Sequence, residues 1–178
     1  MQITYVLTKN APITFLPDAM VKDHGIPDIE SGHIIAFYGL SNVIGSILPV
    51  VCANLLKNNA ILLIPICIIG FGICCVGMAF SSFYWHFVIC GFMHGIFFKT
   101  YTVIIPISLT DMFGVESLKV SYGVIMACSG IANLVGLPML GWFKELQGTY
   151  DFSFTVAGGF HFIGGILAFI LLWLHKRE

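Results

Sequence analysis

Long apolar runs separated by short polar turns dominate this sequence. A helix of roughly 20 apolar residues is long enough to cross a hydrocarbon core about 30 Å thick. The runs cover approximately residues 33–56, 60–80, 83–109, 120–143 and 152–174, and a shorter run covers 1–17. The pattern therefore predicts an all-α membrane protein, with six transmembrane helices in one domain over residues 1–178 and a truncated first helix.

Two of the connections between these runs are very short. The stretches "KNN" (57–59) and "SS" (81–82) leave room only for tight turns, so the helices that each one joins are predicted to be antiparallel neighbours. The connection at 17–33 is longer and carries five Asp, Glu or Lys side chains, which predicts a water-exposed loop. The turns therefore describe a helical bundle.

Composition agrees with a membrane location. Hydrophobic residues make up 58% of the 178 residues, charged residues make up 10%, and the mean hydropathy is +0.95. These values exclude a water-soluble globular domain and make the lipid bilayer the expected surroundings. The formal net charge is -1 and no basic cluster is present, so nucleic acid is excluded as a partner.

The distribution of Lys and Arg predicts the orientation in the plasma membrane. With six helices both termini share one side, and basic residues concentrate on the cytoplasmic side of membrane proteins. The side of the termini holds more of them than the other side: Lys57, Lys119, Lys176 and Arg177 against Lys22 and Lys144. Both termini are therefore expected in the cytoplasm.

Lys99 stands inside the apolar run 83–109. An unpaired charge at the centre of a bilayer costs about 2.5–3.5 kcal/mol on insertion scales, so this side chain is expected to face protein or a water-filled cavity. Two readings stay open: a structural partner of a carbonyl or carboxylate, and a binding site for an anionic solute. Lys9 is expected near the same depth, where it makes the interior electropositive, unless its long stem carries its charge to the interface.

Two further groups of polar residues follow helical spacing. Tyr38, Asn42 and Ser46 are four residues apart and form one stripe along the second helix. Ser129 and Asn133 repeat this spacing on the fifth helix. Hydrogen bonding between helices and the lining of a solute path are both open as explanations, because each keeps polar groups away from lipid.

Glycine and histidine residues add structural expectations. Gly91 and Gly95 form a G-x-x-x-G pair, which predicts the close approach of a neighbouring backbone. His94 and Lys99 are about 140° apart around their helix, so they do not share one narrow face. His161 is expected near the membrane interface. The sequence contains no G-x-S-x-G, H-E-x-x-H or Walker-type loop, so neither an enzyme nor a metal or cofactor site is predicted.

The most specific motifs of the chain are "GLPMLGW" (136–142) and "GTYDFSFTVAGG" (148–159), within the segment 108–159. Together with "APITFLPDAMVKDHGI" (11–26) and "GLSNVIGSILP" (39–49), they resemble the second half of monocarboxylate transporters, members of the major facilitator superfamily. The resemblance implies helices seven to twelve of that fold, with the N-terminal six-helix half missing. It also implies a small organic anion, such as a monocarboxylate, as the substrate of alternating access between two halves.

The resemblance further implies which residues line the solute path, because helices seven, eight, ten and eleven of the family face it. The candidate substrate-binding residues are then Lys99, Lys9, Tyr38, Asn42, Ser129 and Asn133. Ser46 and Asn42 stand where many relatives carry an arginine and an aspartate, so a proton-coupled lactate mechanism is not carried over. Lys99 stands where the family commonly has a small residue, and it is expected to supply the lost positive charge.

A second interpretation belongs to another functional class. The chain would then be a half-length membrane protein that dimerises or docks on a full-length transporter. The short first helix weighs against this interpretation, because it has the form of an incomplete helix. Transport, with this chain as a fragment of the carrier, is therefore the preferred interpretation.

Overall fold

The computed structural model describes residues 2–56 and 60–175, and every regular element within them is helical. The elements are α1 (Gln2–Thr8), α2 (Ala11–Lys22), α3 (Asp28–Leu56), a 3-10 turn (Ala60–Leu62), α4 (Leu63–Ala79), α5 (Tyr84–Gln147) and α6 (Asp151–His175). The all-α prediction is confirmed for the described residues. The connection at 57–59 and the basic residues Lys57, Lys176 and Arg177 lie outside them, so the orientation stays a prediction.

Three helices in the described part of the chain are long and apolar enough to cross a membrane. They are Asp28–Val51, Tyr84–Gln147 and Asp151–Leu174. The helix α4 is also apolar but has only 17 residues. These helices are those of a membrane protein, as predicted, while the count of six crossings stays a prediction.

The helix α5 is too long for one membrane crossing, and its backbone is broken at Gly114. As one straight helix its 64 residues would extend about 96 Å, roughly three times the thickness of a hydrocarbon core. At Gly114, φ is 77° and ψ is 163°, a conformation that glycine adopts at little cost. The break divides α5 into a first arm (84–113) and a second arm (115–147).

The connection between these arms is shorter than the sequence pattern suggests. The apolar runs 83–109 and 120–143 leave residues 110–119 between them, and the helix continues through this stretch on both sides of Gly114. This stretch contains no proline and no cluster of turn residues, so only its single glycine interrupts the helix.

The first predicted helix is interrupted rather than continuous. α1 ends at Thr8 and α2 begins at Ala11, so Lys9 and Asn10 lie between two helical segments. Pro12 explains the break, because proline has no backbone N–H and its ring collides with the carbonyl four residues earlier, here that of Thr8. The interruption leaves the Lys9 and Asn10 side chains at a bend near the second arm of α5.

Helix α3 and the first arm of α5 run parallel and meet at glycines on both sides. A Cβ on Gly95 would overlap the side chain of Ser41 and lie 3.1 Å from the backbone oxygen of Tyr38. A Cβ on Gly45 would lie 2.5 Å from the backbone oxygen of Ile96. The close approach predicted from the G-x-x-x-G pair is therefore confirmed at Gly95.

Helix α4 packs against the first arm of α5 in the opposite direction. Gly70 faces the ring of Phe97, and Gly77 faces the sulfur of Cys90, so positions rise on one helix as they fall on the other. The antiparallel pairing predicted from the turn at 81–82 is confirmed. α4 also packs closely against α6, where Gly158 lies against the backbone of α4.

The second arm of α5 is fixed by α1 on one side and α6 on the other. A Cβ on Gly136 would overlap the backbone carbonyl of Leu7. The hydroxyl of Ser153 on α6 donates a 2.8 Å hydrogen bond to the carbonyl oxygen of Leu140. These contacts hold the arm that carries Ser129 and Asn133 against the bend of the first helix.

A polar cluster ties the end of α2 to the connection between α5 and α6. The carboxylate of Asp18 accepts a short hydrogen bond from the Tyr150 hydroxyl and another, 2.9 Å long, from Lys22. The backbone N–H of Tyr150 donates to the carboxylate of Asp23 at 2.8 Å. The hydroxyl of Tyr150, followed by Lys22, holds the pKa of Asp18 below its usual value.

We expect the Gly136→Ala variant to be destabilised, because the added methyl group overlaps the carbonyl of Leu7 and forces α1 away from the second arm. The loss should be about 1–3 kcal/mol. The measurement is thermal unfolding of the protein purified in detergent. Gly141→Ala is the matched control, since no atom lies within 4 Å of a Cβ there. Equal melting temperatures for both variants would contradict this packing.

We expect the free energy of unfolding of the Tyr150→Phe variant to be about 0.5–1 kcal/mol lower than that of wild type at neutral pH. The value is modest because Asp18 is partly exposed to water. A carboxyl group whose pKa is lowered in the folded state stabilises the fold at a pH above its unfolded-state pKa of about 4. This stabilisation is lost as the pH falls through the folded-state pKa. The melting difference from wild type should therefore shrink on acidification below about pH 4.

The control for this comparison is Tyr122→Phe, because the hydroxyl of Tyr122 makes no hydrogen bond within residues 2–56 and 60–175. A difference between Tyr150→Phe and wild type that stays constant from neutral to acidic pH would show that the Asp18 carboxylate is not the partner that matters.

Candidate functional site

Lys99 lies on the first arm of α5, where its stem packs on α3. A Cβ on Gly45 would lie 3.0 Å from the Cβ of Lys99, so this lysine sits where the two helices approach most closely. Its side chain is half-buried. No carboxylate lies within ion-pair distance of it in the described part of the chain. The reading of Lys99 as one member of a structural ion pair therefore finds no partner there.

The stripe on α3 bonds mainly to its own helix. The Asn42 side-chain nitrogen donates to the backbone oxygen of Tyr38 at 2.9 Å, and the Ser46 hydroxyl donates to that of Val43 at 2.7 Å. The oxygen of the Asn42 amide is buried without a partner among the described residues. This stripe does not provide the hydrogen bonds between helices that one of the two readings required.

The hydrogen bond that does join α3 to α5 comes from a residue outside the predicted set. The Thr100 hydroxyl donates to the backbone oxygen of Gly45 at 3.1 Å. Gly45 lies three residues after Asn42 and therefore on the same side of α3. The structure thus brings Tyr38, Asn42 and Lys99 to one contact between helices, which we name the α3–α5 group.

Lys9 and Asn133 form a second group at the bend of the first helix. The side-chain nitrogen of Asn10 donates to the side-chain oxygen of Asn133 at 3.2 Å. The ammonium of Lys9 lies 5.8 Å from the centre of the Tyr5 ring. Ser129, one turn before Asn133, is 5% exposed, and its hydroxyl has no partner in the part of the chain that the structure describes.

Aromatic packing separates the two groups. The rings of Tyr5 and Tyr101 are 4.0 Å apart, and Tyr101 follows Lys99 by two residues. No hydrogen bond or ion pair between described residues joins one group to the other. The six predicted residues therefore fall into two groups that share no hydrogen bond or ion pair among the described residues, with Asn10 and Thr100 as additions that the sequence pattern did not indicate.

Two histidines, His94 and His161, are buried inside the bundle. His161 is fully buried within the bundle, and its Nε2 lies 3.2 Å from the Thr8 hydroxyl oxygen, while its position near the membrane interface stays a prediction. α1 covers it, with the ring of Tyr5 at 5.9 Å. His94 is also fully buried, and neither ring nitrogen has a partner among the described residues. The centre of the Tyr38 ring lies 6.0 Å from that of the His94 ring.

One cavity of the bundle is lined by none of the residues of the two polar groups. It has a volume of about 230 Å³ and lies between α4, α5 and α6. Its lining is almost entirely apolar, with Tyr101 and Ser108 as the residues that carry hydroxyl groups. A cavity without a cation is unsuitable for a carboxylate, so the half-buried lysines give better candidates. Within the described ranges no cluster of His, Cys, Asp or Glu is suited to a metal ion.

The chain matches the family model of the Major Facilitator Superfamily over residues 1–178. Monocarboxylate transporter 9 of Rattus norvegicus is 28% identical over 147 residues, which cover 79% of this chain and 28% of that relative. Monocarboxylate transporter 14 of Homo sapiens is 36% identical over 76 residues, or 43% of this chain and 14% of that relative.

These matches agree with the resemblance drawn from the motifs. The chain spans less than a third of the length of either relative. The family consists of transporters rather than enzymes, in agreement with the sequence. The chain is an integral membrane protein that belongs to the Major Facilitator Superfamily and, within it, to the monocarboxylate transporter family.

Proposed function

We propose that this chain is the C-terminal six-helix half of a carrier that moves a small organic anion, such as a monocarboxylate, across the plasma membrane by alternating access. Residues 1–178 would form one domain with both termini in the cytoplasm. The observation that carries the proposal is the position of Lys99, half-buried and without an ion-pair partner in the described residues.

The depth of Lys99 supports this proposal. Lys99 is about 22 Å along the first arm from its start at residue 84, which puts it near the middle of the 30-residue arm. A lysine at that depth is too far from either surface to reach water at low cost. It therefore requires a polar cavity, and an anionic solute is the complementary ligand for such a cavity.

The exposure of polar side chains along the contact between α3 and α5 indicates what completes the cavity. Lys99, Asn42 and Ser46 are each partly exposed, and lipid is an unfavourable neighbour for all of them. In transporters of this fold, the solute binds near the midplane between two halves. A second six-helix half, placed against this surface, would cover these side chains. The length of the relatives leaves ample room for one.

Each candidate residue then has a defined role. Lys99 attracts the carboxylate, and Lys9 raises the local potential. The remaining four give hydrogen bonds to the solute: Tyr38, Asn42, Ser129 and Asn133. Binding and release involve no covalent step.

The same uncovered surface is relevant to the second interpretation, a half-length protein that dimerises or docks on a full-length transporter. Sequencing the 5′ end of the transcript separates the two interpretations. An upstream reading frame with six further apolar segments supports the carrier. A stop codon immediately before Met1 supports the half-length protein.

We expect the Lys99→Met variant of the full-length protein to lose roughly tenfold to a hundredfold in kcat/KM for a transported monocarboxylate, because one charge-assisted hydrogen bond is removed. Radiolabelled pyruvate, lactate and benzoate are the probes, and uptake is normalised to the amount of protein at the cell surface.

The matched control is Lys119→Met, which removes an exposed lysine from the same helix. Lys99→Arg should keep part of the uptake, because it keeps the charge with a different shape. Unchanged uptake by Lys99→Met would overturn the assignment of Lys99 as the cation of the site.

A further inference from the structure

Asn10 does not cap the helix that it precedes. It directly precedes α2, and asparagine at that position commonly accepts a hydrogen bond from the start of the helix. Here its side chain makes no such capping bond. Its amide nitrogen instead donates to the side chain of Asn133 on the second arm of α5, 123 residues away in the sequence.

This bond determines how the amide of Asn133 is oriented. An asparagine amide has an accepting oxygen and a nitrogen with two N–H groups, on opposite sides. Because Asn10 occupies the oxygen of Asn133, the nitrogen of Asn133 points away from Asn10. No other hydrogen bond in the described part of the chain uses that nitrogen, and it is not among the enclosed atoms without partners.

The surroundings of this nitrogen favour an anion. Lys9 precedes Asn10 at the same bend, and within the described residues no carboxylate pairs with its ammonium. Two N–H donors beside a cation are suited to a carboxylate oxygen. If the amide of Asn133 were reversed, its oxygen would face the solute and repel the carboxylate. With the amide nitrogen of Asn10 as the donor, the N–H end of Asn133 is the end left available.

We infer that Asn10 is a positioning residue for anion recognition: it holds the amide of Asn133 so that the N–H groups of Asn133, at the bend that also carries Lys9, receive the carboxylate. This inference rests on the proposed transport of an organic anion and adds a residue that acts through another one. Asn10 itself need not touch the solute.

The test measures uptake of radiolabelled pyruvate, lactate and benzoate by the full-length protein. The variants are Asn10→Leu, Asn133→Leu and the double variant. Leucine has the same number and branching of side-chain heavy atoms as asparagine but makes no hydrogen bond. Each single change should raise KM roughly threefold to tenfold, with a smaller effect on the maximal rate. The double variant should resemble Asn133→Leu, because Asn10 acts only through Asn133.

Asn10→Asp adds a second readout. An aspartate at this position only accepts, so it reverses the amide of Asn133. It should raise KM more than Asn10→Leu does. In the Asn133→Leu background, Asn10→Asp changes KM only through the effect of its charge on Lys9. The change in KM in the wild-type background, compared with the change in this background, therefore gives the contribution of the amide orientation.

The outcomes separate this inference from the function on which it rests. If wild type takes up none of the labelled acids, the proposed transport is overturned and this inference falls with it. If wild type takes them up and Asn10→Leu leaves KM unchanged, the inference alone is overturned. It is also overturned if the effects of Asn10→Leu and Asn133→Leu multiply, since that would mean that the two residues act independently.

Discussion

The close contact between α3 and the first arm of α5 is the interaction on which the candidate site depends. Helices approach this closely only where a residue without a side chain faces a backbone, and here Gly45 and Gly95 supply that residue from each helix. Because the backbones touch, Lys99 lies directly against α3 rather than one side-chain length away. The contact therefore brings the only described lysine of the first arm beside the polar stripe.

The second constraint is the cost of charge inside a membrane. Lipid cannot hydrogen-bond to a lysine, so every ionised group at mid-depth needs either a partner or water. The bundle gives Lys99 a surface on which to pack but no carboxylate among the described residues. A solute that carries the missing negative charge is the simplest way to complete this arrangement. Ser46 and Asn42 are uncharged, so Lys99 is the cation of this contact among the described residues.

Local sequence signals predicted the features that depend on neighbouring residues. The apolar runs identified a helical membrane protein, and the spacing of Gly91 and Gly95 indicated a close helix contact. Pro12 illustrates the limit, because the run 1–17 was predicted as one helix although this proline divides it into α1 and α2. Gly114 is similar: this one glycine breaks the helix between the apolar runs 83–109 and 120–143.

Features that depend on distant pairing were not predictable from the sequence alone. The partner of Asn10 is 123 residues away, and nothing in the local pattern of either residue indicates the other. His161 lacks a local signal for burial as well, since α1 covers it from the opposite end of the chain. Spacing identified Tyr38, Asn42 and Ser46 as one stripe, but periodicity does not tell whether a polar group bonds to its own helix or to another.

The most direct test of the account is the accessibility of position 99 to water and solute. Lys99→Cys, made in a full-length protein whose native cysteines are replaced, including the six in residues 1–178, can be treated with an anionic thiosulfonate reagent that does not cross lipid. We predict that Cys introduced at this position reacts and that a transported monocarboxylate slows the reaction. Absence of reaction in every condition, or reaction at the same rate with and without the solute, would contradict it.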